Sequence, residues 1–267
     1  MSKIYIKGKE NKIYIGGNLV TSFNDLPSNL EIHLEGVENT VFIPENFSKD
    51  SFLSVRIFGE KNTFSIQSTK KVCLSADMGY VDDPIKGSSF SLGEETSCNF
   101  ARIVMGEDGS KISIGAHNFI SWDVELWCTD GHSLIDKTSG NVLNVGKFIR
   151  IADSCWITRG VKIGKNTDIP SFCTLGCYSV VSGRFTESYC VIAGIPARVV
   201  KRNVKPQLRS VNSICGSGRS LEEIISSSSG EYQNLYYHQR TWKKSILRLF
   251  INCIPVGHIR KKLRNRL

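Results

Sequence analysis

The stretch that decides the fold runs from Val145 to Val181: VGKFIRIADSCWITRGVKIGKNTDIPSFCTLGCYSVV. Val145, Ile151, Ile157, Ile163, Ile169, Leu175 and Val181 recur in it at an unbroken spacing of six. The fourth residue after each is Ile149, Cys155, Val161, Thr167, Cys173, Ser179 or Phe185, mostly small or β-branched. An earlier run, Ile114, Ile120 and Leu126, keeps the same step. A period of six matches neither a helix nor the two-residue alternation of a long strand. It matches a triangular coil whose sides are short strands of about six residues, three sides to a turn, stacked as a parallel β-solenoid. The aliphatic residue of each hexad then points inward and stacks on its equivalents one turn above and below. Gly146, Gly164 and Gly176 each follow an aliphatic position and are expected at corners. Cys155 and Cys173 read as small core fillers rather than reactive thiols.

Working outward, the N-terminal third is related but looser. LEIHLEGVENTVFI from Leu30 and LSVRIFGEKNTFSI from Leu53 align at an offset of 23, pairing Gly36 with Gly59, Asn39 with Asn62 and Ile43 with Ile66. Both read as strand, Gly/Asn turn, strand units, so residues 1–90 are expected to form irregular β coils that cap or extend the solenoid. The hexad pattern stops after Arg202. Residues 205–230 have the serine and glycine content of a linker, with a short helix predicted at Leu221 to Ile225. In residues 231–267, Trp242, Ile246, Leu249, Phe250 and Cys253 share one helical face. This tail holds nine basic residues against Glu231 and so carries +8 of the chain's net +9. The basic balance therefore belongs to the tail, and the body has no nucleic-acid footprint.

Other classes are excluded by composition. The N-terminus has no apolar run of the length a secretory signal needs, and no stretch approaches the ~20 apolar residues of a membrane span. The nine cysteines are odd in number, with no CxxC pair, so neither a disulfide framework nor a structural zinc site is expected. A cytoplasmic protein with free thiols is the reading that follows.

Chemistry concentrates in WCTDGHSLID, Trp127 to Asp136. Continuing from Leu126, the next inward aliphatic residue is due at position 132, and His132 stands there instead. A histidine titrates near neutrality and can take a proton from a hydroxyl nucleophile. A carboxylate accepting from its other ring nitrogen would fix the tautomer, and Asp130 is the first candidate, with Asp136 the alternative. Trp156 directly precedes an inward position and should face outward, where an indole can stack on a sugar or wall an acyl group. The remaining histidines have no such surroundings; His117, inside a regular coil, is expected to face solvent.

Three stretches, TDGHSLID, CWITRGVKIGKNTDIPS and VIAGIPARVVKRNV, together resemble the left-handed β-helix, hexapeptide-repeat acyltransferases, and within them bacterial O-acetyltransferases of capsule or lipopolysaccharide sugars. The resemblance covers residues 91–204, with a loop at 127–144, and rests partly on the closing motif Gly194, Pro196, Ala197 and Arg198. It implies an all-β, left-handed parallel β-helix with a helical basic tail, acting as a homotrimer. It implies acetyl-CoA as acyl donor, no metal, a carbohydrate acceptor, and His132 as general base with Asp130 and Trp156 at its side. Coenzyme A would lie between two subunits, with Arg159, Cys177, Ser182, Arg198 and Lys201 as its contacts. Two departures stand out: Cys177 and Tyr178 replace Ala-Gly in the usual Gly-Ala-Gly-Ser, and Gly183 replaces the usual lysine after Ser182, a role open to Arg184.

Other readings remain open at this level. An N-acetyltransferase of a nucleotide-linked amino sugar would use the same fold. A γ-type carbonic anhydrase needs three converging histidines, and the solenoid offers His117 and His132. A non-catalytic scaffold would leave Asp130, His132 and Trp156 without a purpose. The basic tail suits attachment to an anionic membrane face, or else packing on the trimer.

Overall fold

The structure, a computed structural model, describes residues 2–223 apart from 24, 25, 28, 208, 210, 217, 219 and 221. The helical tail expected over 231–267, and most of the helix expected at 221–225, lie outside the described residues. Strands wind into two sheets, of 14 and 8 strands, that face each other across one apolar interior. Every described strand pair is parallel except two. Lys12–Ile15 meets Asn18–Leu19 near the N-terminus, and Cys190–Gly194 meets Ala197–Arg202 at the other end, both antiparallel.

The hexad explains the middle of the coil. Ile120 pairs with Ile157, Ile157 with Leu175 and Leu175 with Ile192, one column through successive turns, and all four are fully buried. Burying each such side chain contributes about 1.5–3 kcal/mol. The second inward column, Ile149, Cys155, Val161, Thr167, Cys173 and Ser179, is buried as the spacing predicts. Thr167 is tolerated there because its hydroxyl donates to the Gly164 carbonyl at 2.6 Å.

Two expectations need correction. The corners are not made by Gly146, Gly164 and Gly176, none of which has positive φ. The left-handed residues are Ser154, Gly160, Asn166, Phe172 and Tyr178, themselves six apart and each three residues before an inward aliphatic. Gly146 is needed for close approach instead, since a Cβ there would lie 2.1 Å from the Cys128 carbonyl oxygen.

The other correction concerns Val145, which is 44% exposed rather than inward. Successive turns pair at an offset of 18, as in Ile151 with Ile169. Across the loop the offset is 37, as in Ile114 with Ile151 and Leu126 with Ile163. Nineteen residues are therefore inserted between Leu126 and Ile151, and the coil position after Leu126 is filled by Ile151. Val145 matches the period by coincidence.

The N-terminal coils extend the same two sheets. Gly36 pairs with Gly59, and Thr40 to Phe42 pair with Thr63 to Ser65, as the offset of 23 predicts. One earlier copy is present too, with Gly8 against Gly36 and Asn11 beneath Asn39. Each asparagine satisfies the next: Asn11 Oδ1 accepts from the Asn39 backbone N–H, Asn39 Oδ1 from that of Asn62, and Asn62 Oδ1 from that of Ser88. The strand Ser89–Leu92 pairs with both Thr63–Ile66 and Lys111–Ile114, so the sheet is continuous through residue 90. Within 205–230, where composition predicts linker, a short helix spans Val211–Cys215.

Candidate active site

The nineteen-residue insertion leaves the coil just after the strand Val124–Trp127. Its interior is a small hairpin. Ile135 bridges Val142 antiparallel, and Asp136 Oδ1 accepts from the backbone N–H groups of Thr138 and Ser139, which forms its tip. The hairpin carries Leu134, Ile135, Val142 and Leu143 exposed by 49–64%.

His132 lies at the foot of this hairpin in a cavity of about 460 Å³. One wall is the insertion itself, through Gly131, Ser133, Asn144 and Val145. The other comes from earlier coils: Tyr80, Asp82 and Asp83 on the turn 79–84, and Gly106 with Glu107 on the following turn. Tyr80 and Asp83 exchange backbone hydrogen bonds at 3.0 and 3.2 Å, which closes the first of these turns.

Three sets of bonds hold the loop in place. Thr129, buried, donates through Oγ1 to Glu107 Oε1 at 2.8 Å and accepts from the Gly131 N–H at 2.9 Å. Asn144 Nδ2 donates at 2.8 Å to both Asp130 Oδ2 and the His132 carbonyl, while its Oδ1 accepts from the Leu134 N–H at 2.7 Å. Lys165, on the next turn, pairs with Asp130 Oδ2. That ammonium, and after it the Asn144 amide, lowers the Asp130 pKa. Glu107 is shifted the other way: burial raises its pKa, against the Thr129 hydroxyl that lowers it, and its Oε2 is shielded from solvent beside Gly146.

The expected roles are sorted by this geometry. Asp130 is committed to Lys165 and Asn144, and Asp136 to its own turn; neither carboxylate bonds to the His132 ring. In this single chain Asp130 Oδ2 braces the loop through Asn144 and Lys165. Trp156 faces outward at 36% exposure between Phe119 and Thr174, as expected, but does not line the cavity. His117 is half-buried at a left-handed corner, its Nδ1 shielded, rather than facing solvent. Among the described residues no three His, Cys, Asp or Glu side chains gather as a metal site.

The cofactor candidates fall on separate corners. Arg159, paired with Asp123 at 3.2 Å, and Cys177 lie one above the other, where the Tyr178 N–H donates to the Arg159 carbonyl. Ser182 stands beside Gly164, next to the lysine that braces the loop. Arg198 and Lys201 sit on the exposed closing strand Ala197–Arg202. Arg184 stacks over Phe148, with its guanidinium 5.3 Å from the ring centre.

Reasoning from the sequence missed Glu107, Tyr80, Asp82, Asp83 and Asn144. The only sequence signal at the first four was turn composition, GYVDDP and GEDG, which says where the chain reverses and not what it faces.

No family model matches the chain. The polysialic acid O-acetyltransferase of Neisseria meningitidis is 30% identical over 190 residues, which are 71% of this chain and 85% of that protein. The enzyme of the same name from Escherichia coli O1:K1 / APEC is 30% identical over 138 residues, 49% of this chain and 44% of the relative. An uncharacterized 24.8 kDa protein in the cps region of Klebsiella pneumoniae is 42% identical over 100 residues, 37% of this chain and 43% of the relative. The chain thus matches less than half the length of the last two. The solved structure of the polySia-specific acetyltransferase NeuO superposes with a TM-score of 0.64 at 26% identity, covering 79% of this chain and 90% of that one.

Parallel hexad coils with one histidine-bearing insertion define a left-handed β-helix of the hexapeptide-repeat acetyltransferase class. Within that class, the chain belongs to the family of the polysialic acid O-acetyltransferase of Neisseria meningitidis.

Proposed function

We propose that the protein is an acetyl-CoA-dependent O-acetyltransferase acting on a sugar hydroxyl of a bacterial surface polysaccharide or its precursor. The observation that carries this reading is the position of His132. It sits in a cavity large enough for a sugar ring, on a loop braced from three sides, at the point where the solenoid is interrupted. In the reaction, His132 takes the proton of the acceptor hydroxyl as that oxygen attacks the acetyl carbonyl carbon. The new C–O bond forms, the thioester C–S bond breaks, and the imidazolium returns the proton to the departing thiolate. Tyr80 and Ser133, on opposite walls, supply hydroxyl groups that can orient the acceptor. Holding acceptor and thioester together removes much of the entropic barrier.

A homotrimer is part of this proposal. The apolar hairpin exposes Leu134, Ile135, Val142 and Leu143, and Trp156 and Tyr178 are also exposed. Association with a second copy would cover such surface. It would also let Trp156, Arg159 and Cys177 of one copy complete a cofactor site with another. Residues 231–267, with +8 of the net charge, are proposed to hold the enzyme on the cytoplasmic face of an anionic membrane.

The test is His132→Ala assayed for acetyl transfer to capsule and lipopolysaccharide fragments by mass spectrometry. His132 is exposed, so the variant should fold and associate as the native protein does. Loss of a general base lowers the rate by about 100- to 10,000-fold. Unchanged turnover in a folded variant would sink the proposal.

A further inference from the structure

The cavity around His132 carries an electrostatic sign that bears on the acceptor. Its lining contains three carboxylates, Asp82, Asp83 and Glu107, and no lysine or arginine. The nearby cations are already engaged. Lys165 pairs with Asp130 and also acts on Glu107, and Arg102 lies 3.7 Å from Asp77, which also takes the Arg56 Nε at 2.6 Å, so the carboxylates left without a cation are Asp82 and Asp83. No described lysine or arginine forms an ion pair with Asp82, Asp83 or Glu107. Asp82 and Asp83 stand exposed on the turn that faces the His132 loop, whereas Glu107 is half-buried beneath it, with its Oε2 shielded against Gly146. An acceptor entering this space meets negative charge on the wall opposite the base, inside a concave surface that concentrates the field.

We infer that Asp82 and Asp83 make the site selective for sugars without a carboxylate, so that the hydroxyl presented to His132 belongs to a neutral or amino-bearing residue and acidic sugars are turned away. This inference rests on the acetyltransferase reading and departs from the relatives, whose names specify polysialic acid, a polymer with one carboxylate on every residue. The physical argument is specificity by repulsion. A carboxylate placed against two unpaired carboxylates loses affinity without any change in the contacts that hold the reacting hydroxyl. An ammonium group on the sugar would gain from the same pair.

The discriminating experiment uses the full chain, acetyl-CoA and a panel of capsule and lipopolysaccharide oligosaccharides. The panel includes α2,8-linked sialic acid tetramers, and each acidic member is paired with its carboxyl-reduced counterpart, in which CH2OH replaces the carboxylate. Initial rates give the ratio of kcat/KM for each pair, in the native protein and in Asp82→Asn/Asp83→Asn. The expected native ratio favours the uncharged member by at least ~10-fold, because one like-charge contact typically separates partners by that order. It should shrink toward unity in the double variant and, more weakly, in high salt. A native preference for the acidic member, or a ratio that the double variant leaves unchanged, would overturn the inference while leaving the acetyltransferase reading intact. Acetylation of no acceptor at all would overturn that reading and this inference with it.

Discussion

Asn144 spans the turn of the His132 loop with a single side chain, donating to the Asp130 carboxylate and the His132 carbonyl and accepting from the Leu134 N–H. Asn144→Ala removes all three bonds from a site that is only half-buried, so global stability should shift by less than about 1 kcal/mol. With His132 as the proposed base, turnover should fall by about 10-fold or more, because the base would lose its position rather than its chemistry. Paired melting and kinetic measurements check this: a large fall in Tm with unchanged kcat would contradict it. Asp130 makes a pH prediction. Lys165 and then Asn144 lower its pKa, so the folded state favours the charged form. The stabilisation is present above the ordinary carboxylate range and is lost as pH falls through the lowered value. Protection from amide exchange over 129–145, relative to the intrinsic rate at each pH, should therefore hold from neutral pH down to about pH 4 and fall below it. In Lys165→Ala the loop should already exchange faster at neutral pH. Neither bracing partner was legible in sequence. Asn144 lies fourteen residues from Asp130, and Lys165 thirty-five, separations that only the insertion and the coil pitch bring together.

At the scale of the strand and its turn, the period of six carries real weight only where the residue is inward. Ile157 is fully buried within the column from Ile120 to Leu175, so Ile157→Ala should cost about 2–5 kcal/mol. Val145 keeps the same spacing but stands 44% exposed in the insertion, so Val145→Ala should cost well under 1 kcal/mol. Denaturant midpoints of the two variants settle the contrast, and equal losses would return Val145 to the core. The comparison also shows why the fold was readable and its corners were not. Inward stacking imposes a side-chain type at every sixth position, which composition records. A left-handed corner imposes a backbone angle, and here Ser154, Asn166, Phe172 and Tyr178 adopt it as well as Gly160. The N-terminal coils were legible for a related reason. Gly36 and Gly59 approach so closely that a Cβ on Gly36 would sit 1.9 Å from the Gly59 carbonyl oxygen, and Asn39 and Asn62 must bond to each other. Both requirements repeat at the coil length, and so does the sequence.

For the whole molecule, the residues expected to touch coenzyme A are the informative ones, because one chain does not gather them. Arg159 and Cys177 share one corner, Ser182 occupies another beside Gly164, and Arg198 and Lys201 lie on the closing strand. A second copy packed along the coil would bring such corners together across a subunit boundary, and the exposed apolar hairpin supplies surface for that packing. Cys177 allows this to be measured. It is exposed, whereas Cys73, Cys98, Cys128, Cys155, Cys173 and Cys190 are buried, and burial pushes the thiols of Cys128 and Cys190 up to about 12. Thiol reagents attack through the thiolate, so among these seven Cys177 should be modified first, as peptide mass mapping would show. If coenzyme A lies between copies, acetyl-CoA should slow that modification at protein concentrations where light scattering shows a trimer. The protection should vanish on dilution to monomer, since binding and association are linked. Protection that persisted in the monomer would place the cofactor contacts within a single chain, and absence of protection in the trimer would remove Cys177 from the cofactor path.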